Sequence, residues 1–243
     1  EAVFWMGQDS FYLYEGRTQQ MPCTVKDKVF FDFNYSQKDK VYAAHNSEFT
    51  EITWFYCSNT NSVANGGNGQ NDKYVTYNYT EKVWYYGSMA RSSFIDRGTF
   101  QYPIGAESGY LYNHEIGYDD DGSAMSTSLE ASPVDMGDGQ KFVSISRIIP
   151  DISFQGSSTT GAAPAVNMTL SMQDFPGSSY GQTETDTVTL TASSTTVPFE
   201  QFTTKADIRL RGRSFCFKVA STGAGVRWRL GSPRIDVRED GRR

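Results

Sequence analysis

The sequence predicts an all-β fold, with partial β-propeller blades followed by an antiparallel β-sandwich-like domain. Short aromatic runs recur between turn residues through the first half. Longer Ser/Thr-rich segments in the second half alternate apolar and polar residues. No segment offers ten or more residues at helical period with capping residues, so helix is expected to be minor.

In the first half, strands are expected over residues 3–6, 11–14, 29–33, 41–44, 52–57, 74–79 and 82–86, from β-propensity and length. Gly7-Gln8-Asp9-Ser10, Glu15-Gly16, Ser36-Gln37-Lys38-Asp39 and Asn78-Tyr79-Thr80-Glu81 supply turn chemistry between them. Two 14-residue stretches look alike, VFWMGQDSFYLYEG over 3–16 and YVTYNYTEKVWYYG over 74–87. Their closing glycines lie 71 residues apart, the length of roughly two propeller blades with an insertion. Residues 58–72, rich in Asn, Gly and Ser, are expected to be that insertion, an exposed flexible loop. The same hairpins suit a sandwich, so both architectures stay open for this half.

The texture changes between Gly109 and Gly122, where Asp119-Asp120-Asp121 forms a polar turn. Domains are therefore expected over 1–117 and 118–243. In the second, strands are expected over 142–149, 165–172, 187–191, 207–210, 215–220 and 225–230. Val166, Met168, Leu170 and Met172 fall on one face at period two, as in a half-buried antiparallel strand. Asp135-Met-Gly-Asp138-Gly139 reads as a hairpin turn.

Composition narrows the function classes. At 243 residues and 14% aromatic, with a net charge of -6, the chain is too ring-rich for disorder. No run reaches the ~18 apolar residues of a membrane helix, and membrane insertion is not expected. Opening on Glu1 within an apolar pattern, it reads as a fragment of a longer polypeptide. Cys23, Cys57 and Cys216 show no C-x-x-C spacing and are expected to be partly buried thiols, neither disulfide nor zinc ligands. With only His45 and His114, histidine-based catalysis lacks parts. Side chains adjacent on a strand point to opposite faces, so His114-Glu115 is not a dyad. The Asp119–Asp121 run misses the EF-hand spacing, and no nucleotide-binding or nucleophile-elbow motif occurs. Asn34, Asn78 and Asn167 sit in glycosylation sequons. Trp5, Trp54, Trp84 and Trp228 each lie in an apolar run and are expected in the core. No catalytic residue, metal ligand or cofactor is assigned.

Charge is unevenly placed. Residues 205–243 carry eleven basic and four acidic side chains, a net of +7, which leaves -13 on the rest. Arg209 and Arg211 share one strand face, and Arg227 and Arg229 repeat the spacing. Together with Arg234 they form the candidate interaction residues, at a subunit or partner seam.

Three segments carry a resemblance: residues 3–17, residues 77–87 and the closing GVRWRLGSPRIDVREDGRR over 225–243. They resemble the C-terminal part of tail hub or nozzle proteins of short-tailed bacteriophages, the group that includes packaged-DNA stabilisation proteins. The resemblance implies a virion component of the phage tail, assembled in the bacterial host cytoplasm. It also implies a homo-oligomeric ring, typically a hexamer, below the portal and adaptor proteins. Such a ring prolongs the channel for double-stranded DNA, retains and releases the genome, and carries tail fibre or needle proteins. No catalytic residue transfers. The competing expectations are a receptor- or polysaccharide-binding tail module and a propeller-type glycosidase, which would need paired carboxylates in a cleft.

Overall fold

A computed structural model of the chain describes residues 2–131, 133–135, 137, 139–175, 177–178, 180–183 and 191–241. The fold is all-β, 47% strand and 7% helix, in several antiparallel sheets. It divides into two units, Glu1–Ile116 and Gly117–Arg243.

The first unit is a succession of meanders. Strands β1 (Val3–Met6), β2 (Phe11–Tyr14) and β3 (Thr18–Gln20) form one sheet, and a short helix α1 (Lys26–Asp32) follows. A four-stranded sheet runs β4 (Tyr42–Asn46), β5 (Glu51–Tyr56), β6 (Lys73–Asn78) and β7 (Val83–Ser88) in sequence order. A third sheet contains β8 (Ser93–Ile95), β9 (Ile104–Glu107) and β10 (Tyr110–Asn113). These blade-like meanders do not close into a propeller.

Period-two alternation lets the four-stranded sheet pack on both sides. One face sets Trp54, Val75 and Trp84 against Phe11, Val29 and Met21, with Phe4, Met6 and Leu13 around them. Phe11 packs its ring 5.0 Å from Trp54 and 4.7 Å from Trp84. The opposite face brings Phe55 to 6.3 Å from Phe94 on β8.

Residues 29–33, expected as a strand, belong instead to α1. Val25, Val29 and Phe33 recur at i, i+4 and i+8 and join the core, while Phe31 stays 91% exposed. Helical spacing of the buried residues overrides β-propensity here. Nor is the excursion over 58–72 the loose loop its composition suggests. Ser58 donates both its amide and its hydroxyl to Asp72, each at 2.7 Å. Asn61 Nδ2 bonds Asn68 and the Gln70 carbonyl, and Lys40 Nζ donates to the Gly69 carbonyl at 2.6 Å. The two look-alike stretches also occupy different places, one opening its sheet as β1–β2 and the other closing its sheet as β6–β7.

The second unit opens with a small hairpin, β11 (Asp119–Asp120) and β12 (Ser123–Ala124), then β13 (Thr127–Glu130) and β14 (Val134–Asp135). Next come β15 (Val143–Ile149), β16 (Ile152–Ser153), β17 (Ala165–Gln173), β18 (Gln182–Thr183), β19 (Thr191–Ala192) and β20 (Ser194–Glu200). The chain closes with β21 (Ala206–Gly212), β22 (Ser214–Ser221), β23 (Arg229–Leu230) and β24 (Arg234–Glu239). One sheet is ordered β13-β22-β17-β20, with β14 also on β22, and the other β21-β15-β24. Between them lies a core of Ile145, Ile148, Val166, Met168, Leu170, Met172, Phe199 and Val219, each at most 1% exposed. The alternation read in β17 is the one observed, with Asn167, Thr169 and Ser171 on the outer face. Pro198 is tolerated because β20 is an edge strand. Of the strand expected over 187–191 only Thr191 is among the described residues; Asp138 of the Asp135 turn lies outside them.

Candidate interaction face

The outer face of β21-β15-β24 is ionic. On β21, Ile208 and Leu210 point inward, so Asp207, Arg209 and Arg211 point out. On β24, Ile235 and Val237 pack on the core and Arg234, Asp236 and Arg238 are exposed. A β-bulge between Ile145 and Arg147 shifts the phase of the middle strand. Ser144 and Arg147 therefore share the outer side while Val143, Ile145 and Ile148 stay buried.

Register then sets two rows across the three strands, Arg211–Ser144–Arg238 and Asp207–Arg147–Asp236. Arg147 bridges both carboxylates, with Nε 3.2 Å from Asp207 and Nη1 3.6 Å from Asp236. Its hydrogen bond, helped by Lys205 Nζ at 3.5 Å, holds the Asp207 carboxyl below the usual carboxylate range. Arg211 Nε donates to Asp240 at 2.6 Å, and its guanidinium lies over the Phe142 ring at 4.1 Å. Arg209, Arg234 and Arg238 form no ion pair among the described residues.

Of the five arginines singled out from sequence, Arg209, Arg211 and Arg234 thus share this face. Arg227 and Arg229 do not: residues 225–228 form a loop, and β23 begins only at Arg229. The Arg227 guanidinium sits over the Tyr118 ring at 5.4 Å, and its backbone exchanges hydrogen bonds with Ser157 Oγ. Glycine at position 156 suits the left-handed backbone there, with φ at +89°. Arg229 is exposed on β23, which pairs with β16. Arg147, the residue that organises the face, lies outside the basic C-terminal segment. Arg242 and Arg243 lie outside the described residues.

A cleft of about 480 Å³ opens elsewhere in the same unit. Asp119 and Gly122 line one side, with Ser158, Thr160 and the alanines 162, 163, 220 and 224 around it. The Asp119 carboxylate accepts the Gly225 amide.

In the first unit, His114 and Glu115 serve different neighbours. Arg91 Nε donates to His114 Nε2 at 2.9 Å, whereas Glu115 accepts from Asn46 Nδ2 at 3.0 Å. Burial raises the Glu51 and Glu115 carboxyls above their ordinary values, and Glu51 raises Glu115 further. The three cysteines are free thiols, Cys57 buried and the others half-buried. Trp54 and Trp84 are core residues, and Trp228 packs on the sandwich core. Trp5 is not: it stacks on Tyr12 at 5.5 Å on the outward face of the first sheet, since Phe4 and Met6 take the inward positions. The sequon residue Asn34 is only 6% exposed.

Among the described residues no group of three or more His, Cys, Asp or Glu side chains is placed to hold a metal, and no helix is long and apolar enough to cross a membrane. No protein-family model matches the chain, and no curated protein shows significant similarity to it.

Proposed function

We propose that this chain is a structural part of a bacteriophage tail, a hub or nozzle component of the ring that extends the DNA channel below the portal and adaptor. The observation that carries the reading is the stack of blade-like meanders whose two end sheets keep apolar outer faces. On the first sheet Val3 is 56% and Tyr14 46% exposed, and on the third Ile95 is 54% and Leu111 76% exposed. Exposed apolar faces of this kind are contact surfaces in assemblies. The ionic face of the second unit adds a seam that confers register through charge. Negative-stain microscopy and light scattering, on the chain alone and with a portal–adaptor complex, test the reading. A ring, formed alone or only on the adaptor, supports it; a monomer indifferent to the adaptor overturns it.

A second reading, a polysaccharide-binding module, is favoured by Trp5 and Tyr12. Their rings lie within 17° of parallel on an outward sheet face, with Gln20 in the same row. Aromatic faces edged by amides suit sugar stacking. Glycan-array binding lost in Trp5→Ala would favour this reading over the first.

A further inference from the structure

We propose that the acidic cleft beside β11 receives arginine side chains from the ionic sheet face of a second copy of this chain. The proposal deepens the ring reading by naming both halves of a contact between copies, and it rests on that reading only for its setting.

The two surfaces are complementary in charge. The ionic face holds Arg147, Lys205, Arg209, Arg211, Arg234 and Arg238 against Asp207, Asp236 and Asp240. Its carboxylates are engaged by Arg147, Lys205 and Arg211, which leaves the guanidiniums of Arg209, Arg234 and Arg238 unneutralised. All three are exposed.

The cleft has the reverse character. No lysine or arginine lines it, Asp119 lies in its wall, and Asp120 and Asp121 follow in the adjoining turn. Those three aspartates form no ion pair among the described residues, so their charge is not spent inside the chain. Its lining is mixed: Ala162, Ala163, Ala220 and Ala224 supply methyl groups, and Ser158, Thr160 and Asn167 supply hydrogen-bonding groups. An arginine suits such a site: its stem packs on methyl groups, and its weakly hydrated planar head meets a carboxylate. A point-charge lysine would use the walls less.

Because the two patches differ, the contact is heterologous. Each copy offers one donor face and one acceptor cleft, and repetition yields a closed ring or an open filament.

The experiment is sedimentation and light scattering on the full chain and two charge-reversed variants. Arg209→Glu with Arg238→Glu alters the face. Asp120→Arg with Asp121→Asn alters the turn, asparagine being chosen because φ is +48° at position 121. Circular dichroism establishes that each variant is folded. At low salt the native chain is expected to self-associate, and each variant alone to associate roughly tenfold more weakly or worse. Mixing the two variants is expected to restore association, because the native face of one meets the native cleft of the other and the reversed charges meet at the alternate contact. At about 1 M salt, where screening acts within ~3 Å, association is expected to fall. A native chain that stays monomeric at low salt, or variants that associate like the native chain, would overturn the proposal. So would a mixture that stays dissociated. A native monomer that nevertheless forms a ring on the adaptor would overturn this contact and leave the tail reading standing.

Discussion

Arg91 donates its Nε–H to Nε2 of His114 at 2.9 Å, tying the start of the third sheet to its last strand's end. The same guanidinium reaches Glu107 at 3.1 Å and lies 4.6 Å from the centre of the Tyr112 ring, with its side chain only 10% exposed. It is the polar pin of the third sheet, and β9 makes room for it with a glycine.

Gly105→Ala is therefore expected to destabilise the first unit. The added Cβ would lie 2.6 Å from His114 Nε2 and 2.8 Å from Arg91 Nε. Relief requires breaking the pin, at a cost of about 1–3 kcal/mol, the range of overpacked sites. Urea denaturation followed by tryptophan fluorescence would reveal it; an unchanged midpoint would show that Arg91 relocates freely.

Glu115→Gln should stabilise the protein at neutral pH and not in acid. Burial and the nearby Glu51 raise the folded-state pKa of Glu115 above its unfolded value. Such a group contributes stability while protonated, and that contribution is lost as pH rises through the folded pKa. Glutamine keeps an acceptor for Asn46 Nδ2 and removes the charge. Denaturation midpoints of the two proteins should converge as pH falls below the usual glutamate range, and parallel curves would contradict the sign argued here.

Removing the bridging arginine should be felt in titration more than in stability. With Arg147→Gln, the Asp207 carboxyl loses the hydrogen bond that chiefly lowers it, so its pKa should climb back toward the ordinary aspartate value. Carboxyl chemical shifts followed against pH would detect the climb. Because Asp207 and Asp236 are 65% and 54% exposed, the thermal midpoint should barely move.

Neighbouring positions on β17 should respond oppositely. Leu170 is fully buried in the sandwich core, and Leu170→Ala should cost about 2–5 kcal/mol. Thr169 faces outward and shares a 2.8 Å hydroxyl contact with Thr196, so Thr169→Ala should cost about 1 kcal/mol or less. Equal losses would mean that the strand's register differs from the one described.

Legibility in the sequence followed how far each residue's environment is local. In β17 successive side chains see core and solvent in turn, so Val166 to Met172 announce their face without knowledge of partners. The α1 segment misleads because Val29, Phe30 and Phe31 are strand formers, and only the i, i+4 recurrence from Val25 to Phe33 betrays the helix. Trp5 misleads differently: an apolar run on a two-faced strand must send alternate rings outward, and Phe4 and Met6 had the inward places. Arg209 and Arg211 could be placed on one strand face by counting, but the same counting misplaced Arg227 and Arg229, and Arg234 joins the face only through the pairing of β24 with β15. Arg147 could not be placed by counting, because its partner Asp207 lies 60 residues away and its outward aim depends on a bulge. The cleft beside Asp119 was hidden for the same reason, being assembled from distant loops.

The pair of hydrogen bonds from Ser58 to Asp72 has a practical corollary for anyone building on this molecule. It fastens the two feet of the excursion to each other, so that the sheet between β5 and β6 is held from below the tip. The tip residues Val63, Ala64, Asn65 and Gly66 are exposed, Val63 at 70%. Lengthening a loop whose ends are already fixed adds little closure entropy, about 0.6 kcal/mol for each doubling. The tip is thus a natural socket for an epitope, a fluorophore or a grafted peptide.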